Sequence, residues 1–156
     1  AGVVGLFQKT LDELVILALF LPVLAGQSGN TGCQALAVTL RGLTLGELKP
    51  GMERELVAKE TLLGTLNGAL VGVTAGLGMY VVARMQSNPA AGMLGFIVGV
   101  AMVGSCLISG ISGALIPLAL RRLGADPATA SSIFLTTATD VASMGMLLGF
   151  ATLVLM

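Results

Sequence analysis

The chain has 156 residues, of which 55% are hydrophobic and 10% are charged, with a formal net charge of zero and a mean hydropathy of +0.97. An ordinary soluble domain carries about 25% charged residues, so the composition excludes that class and predicts an integral membrane protein in a lipid bilayer. The balanced charge and the few aromatic residues, five Phe and one Tyr, argue against a nucleic-acid partner.

Four apolar segments follow one another along the chain, and each is long enough to cross a bilayer. A spanning helix needs about 20 mostly apolar residues for a hydrocarbon core of ~30 Å. Connectors with Pro and Gly separate the segments, and Asp126 before Pro127 predicts an N-cap followed by proline in the first turn. We therefore expect an all-α, polytopic helical bundle that forms one domain over residues 1–156. The predicted spans are Leu14 to Leu43, Leu56 to Ala83, Ala91 to Leu120 and Ala128 to Val154.

The distribution of positive charge predicts the orientation of the bundle. Most of the eight Lys and Arg residues lie in the connectors 41–59 and 121–127, whereas Lys9 and Arg84 lie on the opposite side. The excess of basic residues in short loops marks the cytoplasmic side, so we expect both connectors to face the cytoplasm of a multi-pass protein in the cell membrane. The apolar stretch 1–7 is interpreted as the tail of an earlier helix that this sequence lacks.

The first span contains an unusually polar stretch, "AGQSGNTGCQ", at residues 25–34. The span is too long for a straight helix across the hydrocarbon core, and Pro22 predicts a kink within it. Non-helical backbone at membrane depth is tolerated where it lines a cavity, so we expect a water-lined, partly unwound site here. The alternative is that the amides serve as interhelical hydrogen bonds. The candidate pore-lining residues of this stretch are Gly26, Gln27, Gly29, Asn30 and Gln34.

Small residues recur at a spacing of four in the second span, at Gly64, Gly68, Gly72 and Gly76. Such ridges let the backbones of membrane helices approach closely, so we interpret them as packing surfaces rather than as a site. Cys33 and Cys106 both fall in apolar segments, and we expect two buried free thiols. The sequence contains no cluster of Cys and His residues, so we do not expect a zinc site.

Asp140 is the only charged residue between Ala128 and the end of the sequence. An ionised carboxylate near the middle of a bilayer costs at least ~2.5–3.5 kcal/mol, so something must compensate for it. Helical spacing places it on a polar stripe in the middle of its span, at the depth of the polar stretch 25–34. Either the acid is buried and protonated with Thr136 or Gln34 as its partner, or water and a cation compensate for its charge. The stripe consists of Thr129, Ser132, Thr136, Asp140 and Ser143.

The donor atoms available for a cation are oxygen atoms of one carboxylate, amides, hydroxyls and carbonyls. Such hard donors favour Mg²⁺, Ca²⁺ or Mn²⁺ over zinc or copper. Mg²⁺ loses its water reluctantly and is commonly held through its water by one or two carboxylates. A homodimer with the last span at its two-fold axis would bring two copies of Asp140 to one hydrated divalent ion.

Three motifs in order resemble the transmembrane domain of the MgtE-type magnesium channels. They are "LPVLAGQSGNTGCQALAVTLRGLTLGEL", "KETLLGTLNGALVG" and "RRLGADPATASSIFLTTATDVASMG", which resemble the second helix, the start of the third helix and the fourth-to-fifth helix region of that family. The resemblance extends over nearly the whole chain. Ile133 stands where members of the family often have proline.

The resemblance implies a homodimer with five transmembrane helices per subunit, of which the four spans here match the second to fifth. It also implies an axial pore that binds hydrated Mg²⁺ between two copies of Asp140, with Thr136 and Asn30 at the site and Thr137 in the same TTxxD motif. Mn²⁺, Ca²⁺ and Co²⁺ are alternative ions. The cytoplasmic regulatory domains of the family, its possible further partners in a full-length protein, are absent from this sequence.

Four functions remain to be compared, and the first is a divalent-cation channel. The second is an exchanger that couples Mg²⁺ to Na⁺ or H⁺, which the sequence does not separate from a channel. An intramembrane aspartyl protease lacks its GxGD motif and a second catalytic Asp here, so we expect no enzyme. A purely structural scaffold does not explain the polar stripe around Asp140.

Overall fold

The computed structural model describes residues 2–49 and 51–155, and these residues form a bundle of helices. Four helical segments are long and apolar enough to cross a membrane: Val15–Thr44, Glu53–Met85, Ala91–Arg122 and Ser131–Leu155. These segments confirm the predicted all-α class and the four predicted spans to within a few residues. The elements in chain order are α1 (Gly2–Leu6), α2 (Gln8–Glu13), a 3₁₀ helix (Val15–Leu19), α3 (Leu21–Thr44), α4 (Glu53–Met85), α5 (Ala91–Arg122) and α6 (Pro127–Leu155).

The first span is irregular, but at its beginning rather than in its polar stretch. The 3₁₀ helix Val15–Leu19 precedes α3, and Pro22 lies in the first turn of α3, where a proline removes no needed hydrogen bond. The predicted kink at Pro22 and the predicted unwinding of residues 25–34 are therefore wrong, since α3 is continuous from Leu21 to Thr44. The break in the span lies before the proline.

Contacts at both ends of the bundle show how the helices run. At one end, Arg122 and Glu53 form a salt bridge of 3.8 Å between α5 and α4. At the other end, the Oγ1 atoms of Thr10 and Thr152 lie 2.7 Å apart and join α2 to the end of α6. The connectors 41–59 and 121–127 therefore lie at the same end, and neighbouring long helices run antiparallel. The short helix α1, within the apolar stretch 1–7, packs against α6.

The start of α6 has the predicted cap. The Asp126 carboxylate accepts a hydrogen bond of 3.0 Å from the backbone N–H of Ala128, and α6 begins at Pro127. An N-cap acid satisfies a backbone donor that the first helical turn leaves without a partner. This cap and the proline together fix where the last span begins.

α4 and α5 pack along a glycine seam, and this is the most extensive helix pair in the bundle. A Cβ atom added at Gly64 would lie 2.5 Å from the carbonyl oxygen of Cys106, and one at Gly76 would lie 2.7 Å from that of Gly95. Gly68 and Gly72 are equally close to α5. The interpretation of the glycine repeat as a packing surface is confirmed, because any larger side chain would separate the two backbones.

The apolar core fills the half of the bundle opposite the two basic connectors. Fully buried side chains from the first span, α4, α5 and α6 meet there, including Leu17, Leu24, Met79, Leu94 and Leu147. This core fixes the positions of α3 and α6 relative to the seam. The polar residues of α3 and α6 lie nearer the middle of the bundle.

Candidate functional site

Asp140 lies near the middle of the span Ser131–Leu155, on the exposed side of α6. Within residues 2–49 and 51–155, no hydrogen bond or salt bridge joins its carboxylate to another residue. The nearby Ser143 hydroxyl donates to the backbone carbonyl of Asp140 at 3.1 Å and leaves the side chain free. The alternative of a buried acid bonded to Thr136 or Gln34 does not describe this arrangement, because the carboxylate points outward with no such partner.

Four hydroxyl residues lie exposed on the same helix as Asp140. The hydroxyls of Thr136 and Thr137 donate to carbonyls about one turn earlier in α6, as from Thr137 Oγ1 to the carbonyl of Ile133 at 3.0 Å, and Thr129 Oγ1 donates to the carbonyl of Asp126 at 3.2 Å. When a hydroxyl group donates its hydrogen to a helix carbonyl, the lone pairs of its oxygen remain available as acceptors. The exposed side of α6 therefore offers oxygen acceptors next to a carboxylate. The four residues are Thr129, Ser132, Thr136 and Thr137.

Ser143 departs from the predicted polar stripe, because it is fully buried within the chain. It lies one turn after Thr139 and one turn before Leu147, and both of these are buried as well. The predicted stripe is wide enough to cross the border between the exposed and the buried sides of α6. Ser143 therefore does not reach the exposed side of α6.

The polar stretch 25–34 divides into an exposed and a buried side because it remains helical. Gly26, Asn30, Cys33 and Gln34 are exposed, and Gln27 and Gly29 are half-buried. The prediction of two buried thiols is therefore wrong for Cys33 and confirmed for Cys106. An apolar neighbourhood in the sequence did not indicate the side of the helix on which Cys33 lies.

The buried side of the stretch serves interhelical hydrogen bonds. The Asn67 side-chain amide in α4 donates to Thr31 Oγ1 in α3 at 2.8 Å, and Thr31 Oγ1 donates to the carbonyl of Gln27 at 3.0 Å. Thr31 also lies 3.6 Å from the sulfur of Cys106 in α5. This small cluster joins three helices, so the alternative of polar interhelical contacts holds for this side of the stretch.

The contact between α3 and α6 places Asn30 and Asp140 at similar depth. A Cβ atom at Gly32 would lie 3.0 Å from Leu135 Cδ1 and 3.2 Å from Thr139 Cγ2. Gly32 of α3 therefore lies at the same depth as the turn of α6 between Leu135 and Thr139. The two helices are antiparallel, so both Asn30 and Asp140 lie a few residues from this level in the same direction. At 1.5 Å per residue their depths agree to within about 2 Å. No hydrogen bond joins the two side chains within the part of the chain that the structure describes.

Sequence reasoning missed Glu60 as a buried acid. It is only 5% exposed, and its Oε1 atom has no hydrogen-bond partner among the described residues. Ser109 and Ser131 also have buried hydroxyls without a partner in that part of the chain. The signal was present in the sequence, since Glu60 precedes Gly64 by one turn and so continues the glycine repeat.

The exposed polar residues of α3 and α6 are suited to a hydrated cation rather than to a dehydrated one. No group of three or more His, Cys, Asp or Glu side chains that could hold a metal ion occurs in residues 2–49 and 51–155. A single carboxylate with amide and hydroxyl oxygens cannot replace the water around a divalent ion, but it can bind that water. We call the exposed residues Asn30, Gln34, Thr136, Thr137 and Asp140 the polar face.

The four long apolar helices and the exposed polar face near mid-span define a polytopic α-helical membrane protein. A surface of this kind is typical of proteins that move polar solutes, because intramembrane acids are rare and are commonly functional. Nothing in the fold is specific for one solute.

Comparison with known proteins gives the family. Residues 21–150 match the MgtE family, which is described as a divalent cation transporter, and the chain belongs to this family. It is 36% identical to the magnesium transporter MgtE of Enterococcus faecalis over 144 residues, which are 92% of this chain and 30% of that protein. It is 33% identical to the magnesium transporters MgtE of Bacillus subtilis, over 97% of this chain, and of Thermus thermophilus, over 96%. The chain spans about a third of the length of these relatives, 32% of each of the latter two.

The family match confirms the resemblance drawn from the three sequence motifs. The matched residues include the polar stretch, the glycine seam and Asp140. The family description is that of a transporter and not of an enzyme.

Proposed function

We propose that the chain transports Mg²⁺ across the membrane as part of a homodimer whose axial pore passes between the polar faces of two copies. The observation that carries the proposal is the exposed carboxylate of Asp140, which lies near mid-span and has no partner among the described residues. In contact with lipid it would cost at least ~2.5–3.5 kcal/mol. A second copy and a water-filled path remove that cost.

Charge balance supports two copies of Asp140 at one ion. Two carboxylates facing each other repel, and a divalent cation between them neutralises both. A two-fold axis generates this arrangement from one residue without a second acid in the chain. Phe134 and Val141, which are 57% and 51% exposed, lie on the same side of α6 and offer apolar contact around the axis.

The donor set favours an ion that keeps its water. Asn30 and Thr136 offer an amide and a hydroxyl oxygen at the depth of Asp140, and Gln34 adds a second amide. Mg²⁺ binds commonly through its water shell to one or two carboxylates, and the named relatives are magnesium transporters. Mn²⁺, Ca²⁺ and Co²⁺ would meet the same oxygen atoms. The pore-lining set we propose also includes Gly26, Gln27, Gly29, Thr129, Ser132 and Thr137.

The membrane potential is sufficient to drive influx through such a pore. A divalent cation that crosses 100 mV gains about 4.6 kcal/mol, twice the ~2.3 kcal/mol of a single charge. By the positive-inside rule, the basic connectors 41–59 and 121–127 would face the cytoplasm from a protein in the cell membrane. An exchanger would instead couple each Mg²⁺ to Na⁺ or H⁺, so the reversal potential of the Mg²⁺ current separates the two mechanisms.

The substitution Asp140→Asn tests the proposal in proteoliposomes that contain the purified chain and a fluorescent Mg²⁺ indicator. The amide keeps the shape of the side chain and removes its charge, so we expect Mg²⁺ influx to fall at least tenfold while the protein still folds. Asp12→Asn is the matched control, because Asp12 lies in α2 outside the spans, and its influx should match the unaltered chain. Undiminished influx in Asp140→Asn would refute the proposed site.

A further inference from the structure

A second feature of the molecule lies on the outer side of the glycine seam, away from the polar face. It is an apolar groove of about 620 Å³ between α4 and α5. Glycines form its floor because the two backbones touch there, as where a Cβ at Gly72 would lie 2.8 Å from the carbonyl of Gly99. Its walls are large exposed side chains, among them Val73 at 64%, Leu77 at 60% and Phe96 at 64%.

The length and depth of the groove match one leaflet of a bilayer. It runs over residues 69–80 of α4 and 92–103 of α5, which is about 16 Å at 1.5 Å per residue, roughly half of the ~30 Å hydrocarbon core. All of it lies in the half of the two spans nearest their connector, residues 86–90. A partner helix that crosses the membrane would need a contact surface through both leaflets, so the groove fits an acyl chain better than a helix.

A positive charge lies one helical turn beyond the end of the groove along α4. Arg84 follows Tyr80 by one helical turn, lies exposed in the last turn of α4, and has no salt bridge within residues 2–49 and 51–155. The connector 86–90 that follows carries no charged residue. Tyr80, 41% exposed at the end of the groove, is of the residue type that prefers the membrane–water interface.

We propose that this groove binds one anionic phospholipid, with an acyl chain between α4 and α5 and its phosphate at the Arg84 guanidinium. Arg pairs with phosphate through two parallel hydrogen bonds, and the apolar walls exclude a polar ligand. The site is separate from the proposed ion pathway and does not depend on it. A second copy of the chain is an alternative occupant, and the experiment below distinguishes it from a lipid.

The chain carries its own probe for this groove. Tyr80 is the one tyrosine of the sequence, which has no tryptophan, so tyrosine fluorescence reports on this position alone. Bromine atoms on an acyl chain quench fluorescence on contact. We expect brominated phosphatidylglycerol, diluted in unbrominated phosphatidylcholine, to quench Tyr80 with about fivefold higher relative affinity than brominated phosphatidylcholine. This factor is the attraction expected between one basic side chain and an anionic lipid.

Two pairs of variants test the two halves of the site. Arg84→Gln should remove the preference for phosphatidylglycerol, whereas Arg41→Gln, an exposed arginine at the opposite end of the bundle, should keep it. Gly92→Leu should lower quenching by both lipids, because Gly92 lines the groove and a Cβ there meets nothing within 4 Å. Gly149→Leu in α6 has equally open surroundings and should leave quenching unchanged.

Three outcomes would overturn the proposal. The first is equal quenching by the two lipids in the unaltered chain, or an equal loss of preference in both arginine variants. The second is undiminished quenching in Gly92→Leu. The third is weak quenching by both lipids that strengthens when the protein is diluted in the bilayer, since this would show that a second copy covers the groove.

Discussion

The glycine seam between α4 and α5 and the polar face of α3 and α6 are opposite solutions to the same environment. In the seam, each backbone contacts the other at distances that exclude even a methyl group, as at Gly64 and Gly76. On the polar face, a carboxylate, amides and hydroxyls point away from the chain near mid-span, at Asp140, Asn30 and Gln34. The seam brings two helices of one chain into contact, whereas the carboxylate of Asp140 has no partner among the described residues.

The difference shows which part of the molecule makes the fold and which part needs something beyond it. Lipid gives helices no hydrophobic drive to associate, so close van der Waals contact has to hold them together. The seam provides that contact, and in α4 and α5 the buried polar atoms of Glu60 and Ser109 are without a hydrogen-bond partner among the described residues. The polar face would cost free energy in contact with lipid, and under the proposed function the ion and a second copy compensate for it.

Breaking the seam should have the largest effect. Gly64→Leu places a side chain where the Cβ alone would lie 2.5 Å from a backbone carbonyl, and a backbone cannot yield as a flexible side chain can. We expect a loss of stability of more than about 3 kcal/mol, beyond the ~1–3 kcal/mol of ordinary overpacking. Size-exclusion chromatography in detergent should show little folded monomer or dimer.

Gly29→Ala is the contrasting change, because a Cβ at Gly29 meets nothing within 4 Å. It should preserve the elution profile. A folded Gly64→Leu protein with normal thermal stability would show that the seam is not what holds α4 to α5.

Chemical labelling of the two native cysteines compares the polar face with the seam without any substitution. Cys33 is exposed beside Asn30 and Gln34, and Cys106 is buried against the seam. If water lines the polar face, a charged, membrane-impermeant thiol reagent should label Cys33 at least tenfold faster than Cys106 in proteoliposomes, as mass spectrometry can measure. Labelling of Cys33 only by an apolar reagent would mean that lipid covers this face.

Two asparagines sharpen the comparison further. Asn30 lies on the polar face, whereas Asn67 donates to Thr31 inside the bundle. Asn30→Ala should lower Mg²⁺ influx several-fold at unchanged thermal stability. Asn67→Ala should cost about 0.6 kcal/mol, and at most ~1.7 kcal/mol, as measured for hydrogen bonds between membrane helices, and should keep the influx per folded protein. The reverse pattern would assign packing to the exposed amide and transport to the buried one.

The hydropathy of the sequence and the Pro and Gly residues of its connectors predicted most of the fold. The four spans, the start of α6 at Pro127 and the glycine seam follow from the length of apolar segments, an acid before proline and a repeat of four. Each of these signals is local and is settled by the helix itself.

The errors came from residues whose hydrogen bonds the sequence does not assign. Three glycines and five polar residues in "AGQSGNTGCQ" indicated unwinding, but the Ser28 and Thr31 hydroxyls donate to carbonyls of their own helix and the helix continues. Once residues 25–34 are helical, Cys33 falls beside Asn30 and Gln34 on the exposed side. The burial of Ser143 and of Glu60 depends on neighbouring helices, which periodicity along one helix does not indicate.

Cross-linking across the proposed two-fold axis is the most direct measurement of the central claim. Thr137→Cys would place a thiol on the polar face, and Val73→Cys would place one on the outer wall of the groove, where Val73 is 64% exposed; both variants would carry Cys33→Ala. Treated with a short bifunctional thiol reagent in nanodiscs, Thr137→Cys should give a covalent dimer and Val73→Cys should remain monomeric. A dimer from Val73→Cys and none from Thr137→Cys would mean that the polar faces do not meet and would contradict the proposed pore.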